Sequence, residues 1–126
     1  MANEEQLTVL KQGVEAWNAS RANHAGTDVD LSGASLRALN LTGADLARVD
    51  LSGADLRGTI LAEASLAGAC LQGANLFKAV LDGADLKEAD LSGAQFLHCA
   101  QLQMAHCWQL AFRDGDLACG ATIPKA

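Results

Sequence analysis

Leucine recurs every five residues through most of this 126-residue chain. It stands at Leu31, Leu36, Leu41, Leu46, Leu51, Leu56, Leu61, Leu66, Leu71, Leu76, Leu81, Leu86 and Leu91, and Phe96 takes the next place, so fourteen consecutive positions obey one spacing. Two residues before each stands a smaller or aliphatic partner: Val29, Ala34, Leu39, Ala44, Val49, Ala54, Thr59, then alanine at every fifth position from Ala64 to Ala94. Between the two sits mostly Asp, Asn or Ser, and glycine often follows two after the leucine, as at Gly33, Gly43 and Gly53. A spacing of five matches neither the helical 3.6 nor the strand 2.0. It fits a chain that turns a corner every five residues. The leucine and the small residue two before it point inward, by strand alternation, and the polar residue between them points out. Four sides close a coil of twenty residues, and coils stack at about 4.8 Å. Aromatics are only 4% of the chain, so such a core is built from small and aliphatic side chains.

The units Ala44-Asp45-Leu46, Ala54-Asp55-Leu56, Ala74-Asn75-Leu76 and Ala84-Asp85-Leu86 resemble the pentapeptide-repeat family pattern A-(D/N)-L-x-x. The resemblance covers about residues 29–119. It implies an all-β solenoid, a right-handed quadrilateral parallel β-helix of the kind called the Rfr fold, with about four and a half coils. After Phe96 the next fitting unit is Ala100-Gln101-Leu102, one residue late. The units Ala105-His106-Cys107, Leu110-Ala111-Phe112 and Gly115-Asp116-Leu117 continue at five. One extra residue within Leu97-His98-Cys99 is expected to bulge a corner, and Cys107 is expected inside.

A solenoid needs its apolar ends covered. Residues 1–28 read as a capping helix and linker, 29–119 as the β-helix and 120–126 as a tail. Within 3–19, Leu7, Leu10, Val14 and Trp17 fall at spacings of 3, 4 and 3 and form one helical stripe, the N-terminal α-helical cap. The stretch Leu10 to Asn18 is similar to the segment that precedes the repeats in cyanobacterial members of the family. At the other end no helix is expected, and Met104, Trp108 and Phe112 read as an interface for a weak C-terminal homodimer.

Chemistry-bearing residues are sparse. Cys70, Cys99, Cys107 and Cys119 match no CxxC spacing. His98, Cys99, His106, Cys107 and Cys119 are metal-capable types that a four-sided coil holds apart. Cys99 and Cys119 fall one coil apart on one corner, within reach of a disulfide, and a reduced, stacked pair is expected in a cytoplasmic chain. No catalytic, metal or cofactor site is expected. The net charge of −6 disfavours nucleic acid and anionic membrane as partners. No signal or membrane-spanning segment is read, so the expected location is the cytoplasm. The functional expectation is a non-catalytic scaffold or protein-interaction module with an unidentified protein partner. The alternative implied by the family is a DNA-mimic regulator of DNA gyrase or another type II topoisomerase.

Overall fold

A computed structural model describes residues 2–24 and 26–113. From Asp30 onward the chain forms coils joined by four ladders of parallel bridges. Asp30, Asp50, Cys70, Asp90 and Phe112 form the first ladder, and Ser35, Asp55, Asn75 and Gln95 the second. Asn40, Ile60 and Val80 form the third, and Asp45, Ser65, Asp85 and His106 the fourth. Each side contributes one bridged residue, and no longer strand occurs among the described residues. The five-residue unit explains this. Two of its residues make the corner, leaving three for a side, and only the middle one faces both neighbouring coils. Asp50, for example, donates to Val29 O at 3.0 Å and accepts from Leu31 N–H at 2.8 Å on the coil before, while on the coil after it Cys70 donates to Val49 O at 3.0 Å and accepts from Leu51 N–H at 2.7 Å.

Each corner from Leu31 to Leu91 is a turn closed from the N–H of the residue three after the leucine to the leucine carbonyl, such as Ala54 N to Leu51 O at 3.0 Å. The residue two after the leucine takes positive φ, for example 66° at Gly53, the demand of a type II turn. Ala38, Arg48, Glu63, Lys78 and Glu88 adopt the same conformation without being glycine. The outward Asp or Asn has its own job. Its carboxyl or amide oxygen turns back to accept the corner N–H two residues on, as Asp50 accepts from Ser52 and Asn75 from Phe77. That side chain satisfies a backbone donor the turn leaves open.

The interior matches the expected pattern through Leu91. Leucines 31 to 91 in steps of five are 2% exposed or less, and the inward alanines are buried beside them. Each such leucine contributes roughly 1.5–3 kcal/mol. Thr59, in an alanine position, is buried with its hydroxyl donating to Leu36 O at 2.7 Å.

The last coil departs from expectation in three places. Phe96 is not inward: it has φ 58° and is 57% exposed, and Leu97 is buried instead. A leucine continues the stack of Leu36, Leu56 and Leu76 with the same volume, which a phenyl ring does not. The extra residue does not merely bulge a corner either. A short helix, α3 (Cys99–Gln103), replaces it, and the Gln101 amide donates to Leu76 O and Ala79 O, both at 2.9 Å. The bridge offset grows from twenty residues at Asn75–Gln95 to twenty-one at Asp85–His106 and twenty-two at Asp90–Phe112. The second slip follows the 3-10 turn Trp108–Leu110. As a result Cys107, with φ 56°, is exposed rather than inside, Phe112 faces outward and Ala111 is buried. The unit Gly115-Asp116-Leu117 and the tail 120–126 lie outside the described residues.

The N-terminal segment is two helices, not one. α1 (Glu4–Lys11) and α2 (Val14–Asn23) meet at Gly13, whose φ of 128° interrupts the helical path. The stripe still works across the break: Leu10 and Trp17 are buried, while Leu7 and Val14 are half-buried against the core. Side chains of both helices pair with the open backbone of the first coil. Gln6 accepts from Asp30 N–H and donates to Asp28 O, each at 3.0 Å. Asn18 accepts from Asp45 N–H at 2.8 Å and donates to Gly43 O at 3.1 Å. The Trp17 indole N–H donates to Asp45 O at 2.7 Å, and Arg21 donates to Ala47 O at 2.6 Å.

Candidate interaction surface

Because leucine fills the coils, chemistry is confined to outward positions. On the first ladder Asp30, Asp50 and Asp90 are interrupted by Cys70. These carboxylates are committed to their own corners. The Ser32 hydroxyl and N–H hold Asp30 below the usual carboxylate range. At Asp90 burial pushes upward, but Ser92 and the Gln72 amide outweigh it and the carboxyl is lowered.

The next corner carries Arg37, Arg57 and Phe77 on successive coils, held in line by Ala38 N to Arg57 O at 3.0 Å and Gly58 N to Phe77 O at 2.9 Å. Arg57 clasps Asp55 with two hydrogen bonds of 2.9 and 2.7 Å, and this pairing holds the Asp55 carboxyl at about 2. Since the folded value lies below the usual ~3.9, the pair's contribution is complete above that pH and is lost as pH falls through about 2. Both groups are solvent-accessible, so the effect is small. Thermal melts of the native chain and Asp55→Asn at successive acid pH values are expected to differ near neutrality and converge near pH ~2. A constant difference would show that the carboxylate charge contributes nothing.

Among the described residues the exposed large apolar side chains are Phe77, Val80, Phe96, Met104, Leu110 and Phe112, all within the later coils. Phe77 and Phe96 meet edge to face, with ring centroids 5.7 Å apart, and the Lys78 ammonium lies 5.4 Å from the Phe77 centroid. The three residues read as an interface do not share one exposure. Met104 and Phe112 are exposed, but Trp108 is only 9% exposed and packs 5.0 Å from the Arg113 guanidinium. Trp108 therefore fills the last coil rather than facing outward.

The metal-capable residues are dispersed. No three His, Cys, Asp or Glu converge among the described residues. Cys70 and Cys107 are free thiols. The expected reduced pair of Cys99 and Cys119 involves Cys119, which lies outside the described residues. A 390 Å³ recess opens beside α1 and α2, over Trp17 and Val29, but Gln6 and Arg21 on its wall are already committed to backbone groups. No helix among the described residues is long and apolar enough to cross a membrane.

Sequence reasoning missed Gln6, Asn18 and Gln101, whose amides bond coil backbone. Their signal was an amide flanking an apolar helical stripe. It also missed the aromatic pair, because a period-five reading sends Phe96 inside.

The family model for pentapeptide repeats matches in eight copies, over residues 27–61, 40–76, 59–96 and 69–105. Comparison with curated proteins returned no match. Among solved structures, HetL, a pentapeptide repeat protein involved in heterocyst differentiation regulation from the cyanobacterium Nostoc sp. strain PCC 7120, is 31% identical. That alignment covers 66% of this chain and 42% of HetL, with a TM-score of 0.39. Rfr23 from the cyanobacterium Cyanothece 51142 is 34% identical over 72% of this chain and 64% of its own, with a TM-score of 0.25. QnrB1, a plasmid-mediated fluoroquinolone resistance protein, is 17% identical over 71% of this chain and 62% of its own, with a TM-score of 0.26. This chain thus spans less than two thirds of the length of each. The leucine rungs, the twenty-residue ladders and the family match over residues 27–105 have one meaning: the chain belongs to the pentapeptide repeat family.

Proposed function

We propose that the protein is a non-catalytic scaffold whose right-handed quadrilateral β-helix, capped by α1 and α2, presents outward side chains to other proteins. The observation that carries this reading is the division of labour within each unit. Leucine and alanine fill the interior, so recognition is left to the outward and corner positions. The DNA-mimic alternative is not favoured. Duplex DNA presents one charge per about 1.7 Å, whereas coils step at about 4.8 Å, and the acidic ladder is interrupted at Cys70 and ends on Phe112. A cytoplasmic location belongs to the same reading. The free thiols at Cys70 and Cys107 support it.

The first partner in this proposal is a second copy, met weakly through the C-terminal end. Residues 91–113 contain no Asp or Glu, with Asp90 bridged to Phe112 and Asp114 and Asp116 following in the sequence, so carboxylates are sparser there than over the rest of an acidic protein and two copies meet with less repulsion. Met104 and Phe112 supply exposed apolar area. Light scattering across micromolar concentrations is expected to show a dimer that Met104→Glu and Phe112→Glu abolish. A monomer at every concentration, or a dimer indifferent to both substitutions, would refute this placement.

A further inference from the structure

From Ser32 to Ser92 the residue following each inward leucine is Ser, Arg, Thr, Ala, Gln, Asp or Lys, except at Phe77. Those side chains stand outside the coil and take no part in filling it. A phenyl ring there does nothing for the fold. Phe77 is 42% exposed, and the register shift at Phe96 delivers a second ring against it. Val80 follows around the same corner, bridged to Ile60 on the coil before. The apolar patch thus crosses one corner and the adjoining side.

Charge on this corner runs against the rest of the molecule. Arg37, Arg57 and Lys78 lie along it, and the outward residues of the two flanking sides include one carboxylate, Asp55. Asp55 is clasped by Arg57 and also feels the charge of Arg37, while neither Arg37 nor Lys78 makes an ion pair with a carboxylate among the described residues. From Arg37 to Phe96 the strip covers three coil steps, about 14 Å, the reach of about four extended residues. Cationic groups therefore gather toward the Arg37 end and apolar groups toward the Phe96 end, with Lys78 beside Phe77 where the two meet, on a strip one peptide wide.

We propose that this corner binds a short extended segment of a partner protein that is acidic at one end and aromatic or aliphatic at the other. Its carboxylates meet Arg37 and Lys78, and its apolar side chains pack on Phe77, Phe96 and Val80. The inference rests on the scaffold reading and names one surface and its ligand chemistry. A long polyanion is a poorer fit, because Asp30, Asp50 and Asp90 line the side next to the strip's and repel it.

The test is fluorescence anisotropy with a labelled octapeptide of three aspartates followed by leucines and phenylalanines. The controls are a lysine-for-aspartate counterpart, an oligouridylate and phosphatidylserine vesicles. Saturable binding of the acidic peptide is expected, weakening as salt rises. Phe77→Ser with Phe96→Ser, and separately Arg37→Glu with Lys78→Glu, are each expected to reduce affinity about tenfold or more with unchanged melting. Glu63 and Glu88 already occupy the backbone conformation of Lys78, so a glutamate there is tolerated. Absence of saturable binding, equal binding of the lysine peptide, indifference to both double substitutions, or preference for the oligouridylate or the vesicles overturns the proposal. Light scattering reads the C-terminal contact independently, so failure here leaves the scaffold reading standing.

Discussion

Leu56→Asp is expected to unfold the chain. Leu56 lies mid-rod, fully buried, between Leu36 and Leu76 on the rungs of the adjoining coils. The substitution removes about 1.5–3 kcal/mol of burial. It also forces a carboxylate to ionise without a partner or to remain protonated against solvent, at a further cost of several kcal/mol. A domain of this size holds only about 5–15 kcal/mol in all. Failure in one coil removes the surface on which both neighbours stack, so loss should be global. Circular dichroism should show no cooperative melt at a temperature where the native chain is folded. A retained melt near the native temperature would contradict the inward placement of Leu56.

Removal of residues 1–24 should be the next most damaging change. It strips Leu10 and Trp17 from the first coil and leaves the backbone groups of Asp28, Asp30, Gly43, Asp45 and Ala47 without their present side-chain partners. An unpaired strand edge with an apolar cross-section behind it is a template for aggregation. Trp17→Ala is the milder form of the same experiment and should cost about 3–5 kcal/mol. The truncated chain is expected to sediment as aggregate or to melt far below the native protein. A truncated monomer with an unchanged melt would make α1 and α2 an appendage rather than a cap.

The leucine ladder was legible because one residue type repeats at one spacing, and a spacing of five permits few chain paths. Legibility ended where that uniformity ended. Phe96 and Leu97 are both apolar, and no pattern of apolar positions says which one enters the coil. Volume decides, through the leucines already stacked above. The second slip, between His106 and Phe112, was hidden because Leu110 and Phe112 are both apolar and the five-residue frame could be continued through them. The interaction surface was legible only in part. Arg37, Arg57 and Lys78 could be assigned to one side from spacing, but the ring beside Lys78 gains its partner only through the slip. At the N-terminus the apolar stripe runs unbroken through Gly13 and so reads as one helix, whereas the backbone is interrupted there with a φ that other residues rarely adopt.

The two amides at the head of the rod carry a consequence for growth. Gln6 and Asn18 each place a carbonyl and an NH₂ where a preceding coil would place a peptide group. The coil edge at these points is thus already complete, and another copy can add a rung there only by displacing them. A head-to-tail filament needs two receptive ends on every subunit. With one end sealed, monomers that join by their remaining ends use identical surfaces, and the result stops at two. Reopening the head requires removal of Gln6, Trp17, Asn18 and Arg21 together, and in a protein that pairs as proposed these four side chains would be what keeps a dimer from growing into a polymer.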